Sequence, residues 1–346
     1  MISPSTIPWS RLLSSSTDDQ ARYYQYKVLE RGMAPYKKFN KVTVNTKKTE
    51  PPKKVKIGSE PRAAFNWFPG HMLKAMREIK TKLALVDLVI EIRDARVPLV
   101  SGNSFLNDSI AGKNRLILLN KMNLADPLMM AKWDIWFKKQ GTPFLFINCL
   151  DKSFMKHILT TARRIIEEKR RASNPEGVEQ KTKFKFMIIG LPNTGKSTLI
   201  NQMANRNAAK TANKPGETQV QLWVNVDEHL ELLDTPGIMP PEIENEEHRI
   251  WLSTINAIPD EIIGEEDPAC YLVKYFLRAK SKEFMERYKL DSFDLSVDEA
   301  LTKIAMVRGC LKQKGIPDLE RVFKVVLMDF RAGELGKVCF GAPPIV

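Results

Sequence analysis

The sequence predicts an α/β protein with a mainly parallel, doubly wound sheet followed by a small all-α C-terminal region. Short apolar runs alternate with helical patterns, and most are continuous hydrophobes, which is typical of strands buried on both faces. After residue 241 only helical patterns follow. The predicted strands are 87–92, 115–120, 143–148, 184–189, 222–226 and 230–234. The predicted helices are 71–84, 126–140, 153–172, 196–205, 243–258, 268–289, 297–314 and 317–332.

Charge and composition divide the 346 residues into three predicted parts. Residues 1–62 hold 13 Lys and Arg against 5 Asp and Glu and show little apolar periodicity, which predicts a largely disordered basic arm. We expect the sheet domain over residues 63–264, with a polar linker at 171–183, and a helical domain over residues 265–346. The first 17 residues contain six serines and no acidic residue, a composition typical of a mitochondrial transit peptide. A disordered tail without a targeting role is the alternative.

The overall composition excludes several classes of protein. No run of about 18 apolar residues occurs, so no membrane span is predicted. The four cysteines lie far apart without a C-x-x-C pair, which argues against a disulfide framework and a zinc ribbon. The formal net charge of +13 favours a polyanionic partner, either nucleic acid or an acidic membrane surface.

A phosphate-binding loop is predicted at GLPNTGKST, residues 190–198, which matches G-x-x-x-x-G-K-[ST] between a strand and a helix. Gly190 and Gly195 allow the backbone to wrap so that its N–H groups face phosphate oxygens. Lys196 would bring positive charge to the β- and γ-phosphates and act in catalysis, and the Ser197 hydroxyl would bind Mg²⁺. The predicted nucleotide-binding residues of this loop are Asn193, Thr194, Gly195, Lys196, Ser197 and Thr198.

Two further motifs fit the phosphate end of such a site. DTPG (234–237) ends a predicted strand, so that Asp234 would hold Mg²⁺ and the Gly237 N–H would meet the γ-phosphate. KPGET (214–218) would supply Thr218 as a second hydroxyl ligand of Mg²⁺. A plain Pro-Gly turn is the alternative for this segment.

Elements that would recognise a guanine base lie before the phosphate loop. LLNKMN (118–123) ends one predicted strand and resembles the N-K-x-D pattern, and FINCL (146–150) ends the next strand, where S-A-x is usual. This order, with base motifs first and phosphate motifs second, indicates a circular permutation of one nucleotide-binding sheet, with ligands at the strands' carboxyl ends. The predicted base-binding residues are Asn120, Lys121, Asn123, Asn148 and Cys149.

Together with WFPGHM (67–72) and RDARVP (93–98), these motifs resemble the circularly permuted ribosome-assembly GTPases, in particular their ribosome biogenesis GTPase A branch, from about residue 65 to near 330. The resemblance implies a circularly permuted P-loop GTPase domain, hydrolysis of GTP to GDP, and a helical domain that contacts ribosomal RNA during late maturation of the large subunit. With the predicted transit peptide, we expect a monomer in the mitochondrial matrix that binds GTP or GDP and the mitochondrial large ribosomal subunit. The inner-membrane surface is a second, peripheral expectation.

Two residues depart from the family pattern. Position 123 is Asn where the family has Asp, which exchanges a charged acceptor for an amide and weakens the expected preference for guanine. Cys149 stands for Ala, a mild change because the family uses the backbone N–H of that residue on the guanine O6.

The catalytic machinery is also unusual. Ile238 follows DTPG where a Ras-like enzyme has the glutamine that orients the attacking water. The resemblance implicates His71 in that role, and packing at a helix entrance is the alternative. It also implicates Asn193 as a ligand of K⁺, with a structural brace as the alternative. A nucleotide-gated RNA-binding scaffold with little intrinsic hydrolysis is the alternative function.

One helix suggests an RNA contact. Lys274, Arg278 and Lys282 recur every four residues in the predicted helix 268–289, which predicts one basic face for RNA phosphates. A solvated surface is the alternative. Because the chain passes from DTPG into the helical domain, ordering of residues 234–245 would reorient that domain.

Overall fold

The computed structural model describes residues 77–103, 107–173, 183–204, 223–227, 229–235, 237–240 and 243–345. All of them belong to one unit of the fold, residues 68–346. The basic arm, WFPGHM, KPGET and most of the polar linker lie outside the described residues.

A six-stranded sheet forms the first part of the fold, in the order β3-β2-β1-β4-β6-β5. All neighbouring pairs are parallel except β5 and β6. This confirms the mainly parallel sheet, and each predicted apolar run forms a strand with ends within two residues of the prediction. The strands are β1 Leu88–Asp94, β2 Arg115–Asn120, β3 Phe144–Phe146, β4 Phe184–Gly190, β5 Trp223–Asp227 and β6 Leu230–Asp234.

Helices cover both faces of the sheet. Leu88, Ile90 and Ile92 of β1 belong to one core cluster, together with residues of α3 and α4. Val89 belongs to a second cluster with Ile79 and Leu83, which precede the sheet, and a third cluster holds α2. Because alternate residues of a strand point to opposite faces and both faces are buried, most strand residues are apolar, and the buried charged residues of β1, Glu91, Arg93 and Asp94, form ion pairs. The helices are α1 Asn107–Ile110, α2 Pro127–Gln140, α3 Ser153–Ser173 and α4 Lys196–Met203.

The region after the sheet is helical, and α10 packs against α5, α7 and α9. The predicted single helix 268–289 is wrong, because the chain breaks between α7 and α8. Lys280 is left-handed, with φ of 51°, and the Ser281 hydroxyl caps a new helix by accepting from Phe284 N at 3.2 Å. The helices are α5 Glu246–Thr254, α6 Asp260–Ile263, α7 Glu266–Arg278, α8 Lys282–Tyr288, α9 Val297–Arg308 and α10 Leu319–Ala332.

The chain after α10 returns to the sheet. Val338 N donates to Leu124 O at 3.1 Å, and Phe340 N donates to Arg96 O at 2.7 Å. These bonds place residues 333–345, here called the C-terminal segment, against the loops that follow β1 and β2. Among the described helices, none has the length and apolar character needed to cross a membrane.

Candidate active site

The phosphate loop connects β4 to α4 and contacts β1 closely. A Cβ on Gly190 would lie 2.4 Å from the Ile92 carbonyl oxygen, so the position admits only glycine. Gly195 is left-handed, with φ of 109°, and no described side chain caps α4 behind it. The first N–H groups of this helix therefore point toward the space that an anion would occupy.

Asn120 connects the phosphate loop to both base elements. Its side chain is buried and bridges two loops: Nδ2 donates to Thr194 O at 2.8 Å, and Oδ1 accepts from Cys149 N at 2.9 Å. A Cβ on Gly195 would lie 2.2 Å from Asn120 Nδ2, so this approach also requires glycine. The Cys149 N–H expected at the guanine O6 is thus already hydrogen-bonded to Asn120. Burial raises the pKa of the Cys149 thiol to about 12, so the thiol is protonated at neutral pH.

Lys121 ties the base loop to the phosphate loop. The residue is left-handed, with φ of 61°, and its Nζ donates to Asn193 O at 2.7 Å. The same ammonium lies 3.1 Å from Asp94 Oδ2 at the end of β1. Burial alone would raise the pKa of Asp94, but the Arg96 guanidinium and the Lys121 ammonium outweigh it and hold that pKa well below its ordinary value. Asp94 is therefore a carboxylate that serves two cations.

The other base residues occupy more open positions. Asn123 lies in the 3₁₀ turn Met122–Leu124, where its side chain is exposed and makes no hydrogen bond with a described residue. Asn148 is half-buried, and its Oδ1 accepts from Leu150 N at 3.1 Å. Asn123 thus has an amide available for the edge of a base, as its place in the motif predicts.

The described phosphate and metal residues follow or end the strands β4 and β6. Lys196 is buried and its Nζ donates to Leu191 O at 2.9 Å, while Ser197 and Thr198 are half-buried in the first turn of α4. Asp234 ends β6 in register with Ile188 of β4. Gly237 follows within contact of the phosphate loop, since a Cβ there would lie 2.9 Å from Pro192 Cα. His71 and Thr218 lie outside the described residues.

The side chain of Ile238 is part of the core. Its side chain is 2% exposed and packs in the cluster that includes Ile79 and Leu233. Its backbone is held on both sides, because Ile238 N donates to Gly190 O at 3.3 Å and Asn103 Nδ2 donates to Ile238 O at 2.8 Å. This residue cannot orient an attacking water.

Asn193 joins the phosphate loop to the helical region. Its Nδ2 donates to the backbone carbonyl of Asn256, which follows α5, at 2.8 Å. A carbonyl oxygen only accepts, so the amide NH₂ must face Asn256 and Oδ1 lies on the other side of the amide. The observed bond favours a structural brace, and coordination of K⁺ by Oδ1 stays a prediction.

The predicted RNA-binding residues do not share one helix face. Lys274 and Arg278 are exposed on α7, but Lys282 begins α8 beyond the break, so the single basic face was wrong. The helical region has another basic feature that helix periodicity does not reveal. A groove of about 440 Å³ lies between α9 and α10, and three of its lining side chains are cationic, those of Arg308, Arg321 and Lys324. The other lining residues are Val307, Cys310 and Val325.

Comparison with known proteins identifies the family. A family model described as 50S ribosome-binding GTPase matches residues 185–303. Ribosome biogenesis GTPase A of Priestia megaterium (strain DSM 319 / IMG 1521) is 38% identical over 279 residues, which cover 81% of this chain and 97% of that relative. The chain belongs to the ribosome biogenesis GTPase A family. Mitochondrial ribosome-associated GTPase 1 of Xenopus tropicalis is 31% identical, over 80% of this chain and 94% of the relative.

Solved structures agree with this assignment. The GNP-bound crystal structure of YlqF from T. maritima is 30% identical with a TM-score of 0.55, covering 79% of this chain and all of that one (100%). The GDP-bound structure of TM YlqF is 29% identical with a TM-score of 0.54, covering 77% of this chain and 99% of that one. Membership in the ribosome biogenesis GTPase A family confirms the circularly permuted GTPase fold and the enzyme class, a GTPase. The roles of individual site residues stay predictions.

Proposed function

We propose that this protein is a GTP-hydrolysing factor that matures the large subunit of the mitochondrial ribosome. The observation that carries the proposal is the junction at Asn120, which brings the phosphate loop and both base elements together at the carboxyl ends of parallel strands. Relatives named ribosome biogenesis GTPase A and mitochondrial ribosome-associated GTPase 1 support the biological setting. The acid-poor, serine-rich start of the chain supports the mitochondrial matrix as its location.

The residues at the phosphate loop fit a magnesium nucleotide. Hydroxyl and carboxylate oxygens are the ligands that Mg²⁺ prefers, and the chain offers one of each in Ser197, in the first turn of α4, and Asp234, the last residue of β6. When bound, the ion would neutralise charge that develops on the transferred phosphoryl group. Lys196 is positioned to exchange its bond with Leu191 O for phosphate oxygens.

Hydrolysis needs a group that orients water, and the chain must supply it from outside DTPG. Ile238 is buried in the core, which removes the position used by Ras-like enzymes. We propose that His71 fills this role, because the family resemblance places a histidine there and an imidazole can orient or polarise water in either charge state. Assistance by a partner is consistent with this proposal, since DTPG itself is directly followed by no residue that can orient water.

We further propose that the helical region binds ribosomal RNA through the groove between α9 and α10. Arg321 is exposed at its rim. Arg308 lies 3.5 Å from the buried Asp329, which also accepts from Arg287 and Tyr288, and Lys324 lies 4.0 Å from Glu265. Both pairs are long, and both cations are partly exposed. Three cations beside apolar side chains suit a nucleic-acid ligand, whose phosphates would meet the cations and whose unstacked bases would meet the apolar side chains.

Sedimentation tests the proposed function. Tagged protein in mitochondrial lysate should comigrate with large-subunit particles in the presence of a non-hydrolysable GTP analogue and leave them with GDP. An Asn120→Ala variant is the matched control, because it loses both bonds of the junction and should stay at the top of the gradient with either nucleotide. Comigration with small subunits, or absence of the protein from ribosomal fractions in all conditions, would overturn the proposal.

Salt titrations show which of two basic surfaces binds RNA, the groove between α9 and α10 or the exposed cations of α7. The double variant Arg321→Ala/Lys324→Ala should weaken binding to a large-subunit rRNA fragment and reduce the slope of log K against log salt by about 2. The matched variant Lys274→Ala/Arg278→Ala, on α7, removes the same charge. If it has the larger effect, the rRNA surface lies on α7 instead.

The alternative function is a nucleotide-gated scaffold with little intrinsic hydrolysis. The buried Ile238 and the amide at Asn123 are the observations that favour it. Phosphate release with and without large ribosomal subunits distinguishes the two. Turnover stimulated by the subunit supports an enzyme, and nucleotide-dependent binding without turnover supports the scaffold.

A further inference from the structure

Arg96, at the turn after β1, is buried between the sheet and the C-terminal segment. Its side chain is 2% exposed, and Nε and Nη2 bind both oxygens of Asp94 at 2.9 and 2.8 Å. The face of the Phe330 ring lies 5.1 Å from the guanidinium carbon. Nη1 has no hydrogen-bond partner among the described residues. The guanidinium is therefore held by one carboxylate and by one aromatic ring of α10.

The Asp94 carboxylate connects Arg96 to Lys121 and, through Lys121, to the phosphate loop. Its Oδ2 lies 3.1 Å from Lys121 Nζ, which in turn donates to Asn193 O of the phosphate loop. A fully buried carboxylate is costly unless cations and donors surround it, so Arg96 and Lys121 together fix its position. A continuous path of direct contacts thus runs from Phe330 through Arg96, Asp94 and Lys121 to the phosphate loop.

The C-terminal segment also contacts the turn that carries Asn123. Val338 N donates to Leu124 O, the last residue of the 3₁₀ turn, and Phe340 N donates to Arg96 O. A Cβ on Gly333 would lie 2.6 Å from Leu124 Cδ2, so the segment approaches this turn as closely as glycine permits. The loop that follows β2 is therefore contacted by Asp94, through Lys121, and by residues 333–340, through Leu124.

We propose that Arg96 is a positioning residue of the nucleotide site, through which docking of α10 and the C-terminal segment sets Lys121 and the guanine-reading turn. This role of Arg96 rests on the proposed guanine nucleotide site but needs no ribosome. It follows that a ligand which displaces α10 lowers nucleotide affinity, and that nucleotide binding resists such displacement by the same factor, because coupling between two sites is reciprocal. This attachment contacts the loop that carries the predicted base residues, at Lys121 and Leu124.

Two buried aromatic residues of the helical region provide a matched test. Phe330 contacts Arg96, whereas the ring contacts of the fully buried Phe284 are with Phe276 and Tyr288 inside the helical region. Phe330→Leu and Phe284→Leu remove similar rings and should lower the melting temperature of the full chain to similar extents. In equilibrium titrations with a fluorescent GDP analogue, Phe330→Leu should weaken binding about fivefold to thirtyfold, the size of a desolvated cation–π contact. Phe284→Leu should stay within twofold of wild type.

A double-mutant cycle shows whether the effect passes through Arg96. Arg96→Lys keeps the charge but loses the planar fork and the stacking surface, so it should also weaken GDP binding. The double variant Arg96→Lys/Phe330→Leu should bind GDP no more weakly than Arg96→Lys alone. Additive effects, an unchanged affinity in Phe330→Leu, or equal losses in Phe330→Leu and Phe284→Leu would each overturn the proposal. An unchanged affinity in Phe330→Leu is enough to refute the proposal, so the proposal can still be tested if Arg96→Lys fails to fold.

Discussion

Asn123→Asp is the substitution that most directly tests how this GTPase reads its base. Asn123 is exposed and makes no hydrogen bond with a described residue, so the change should alter the free energy of unfolding by less than about 0.5 kcal/mol. Any change in nucleotide affinity therefore reports on the base itself. A carboxylate accepts from both N1–H and the amino group of guanine, whereas the amide offers one acceptor and one donor group.

The expected gain follows from the strength of the hydrogen bonds exchanged. Bonds to a charged group contribute about 1.5–3 kcal/mol and bonds between neutral groups about 0.5–1.5 kcal/mol, a difference of roughly 1–1.5 kcal/mol. Asn123→Asp should therefore tighten GTP about tenfold. Xanthine carries a carbonyl where guanine carries the amino group, so the same change should weaken xanthosine triphosphate, because two acceptors would then face each other.

Competition titrations with GTP and xanthosine triphosphate measure both effects. Asn120→Asp is the matched control, because it makes the same chemical change three residues earlier. There the new carboxylate oxygen would face Thr194 O, which Asn120 Nδ2 now meets at 2.8 Å, so GTP binding should weaken about tenfold or more. If the wild type ignores xanthosine triphosphate and Asn123→Asp gains nothing for GTP, Asn123 does not read the base edge. Guanine selectivity would then rest on Asn120 and the backbone near Cys149.

Three other predictions address catalysis, acid stability and targeting. His71→Ala should slow ribosome-stimulated hydrolysis about ten- to a hundredfold with nearly unchanged nucleotide affinity, and unchanged turnover in single-turnover assays would reassign His71 to packing. Because the pKa of Asp94 is lowered in the folded state, its contribution to stability is present above about pH 4 and is lost as pH falls below that value. Melting temperatures measured from roughly pH 2.5 to roughly pH 7 should therefore fall less steeply with acid in Asp94→Asn than in the wild type. The same dependence on pH in both proteins would contradict a stabilising role of the Asp94 ion pairs. A reporter fused to residues 1–60 should enter the mitochondrial matrix, whereas a cytosolic or nucleolar reporter would refute the targeting prediction.

Local patterns in the sequence were sufficient for the strands and the phosphate loop. The run at 115–120 coincides with β2, because its four central residues, 116–119, are buried on the two faces of the sheet and are therefore apolar. The local motif locates the glycines of the phosphate loop, but the contacts that require them are distant in sequence, from Gly190 to Ile92 and from Gly195 to Asn120. The break within the predicted helix 268–289 also has a local signal, the capping residue Ser281. The prediction missed it because the apolar periodicity continues past the break to Phe284 and Tyr288.

The tertiary structure decided what the polar residues of the motifs do. Asn120 meets Thr194 across 74 residues of chain, and the Cys339 Sγ approaches Ala95 O across 244. Sequence specified the donors and acceptors of RDAR and NKMN, but their partners depend on which strands lie side by side and on where the C-terminal segment returns. Ile238 shows the same limit, since its type excluded a role with water but only packing placed it in the core. Hydrogen bonds and ion pairs act over a few ångströms, so the alignment of parallel strand ends, and not separation along the chain, determines which of these groups meet.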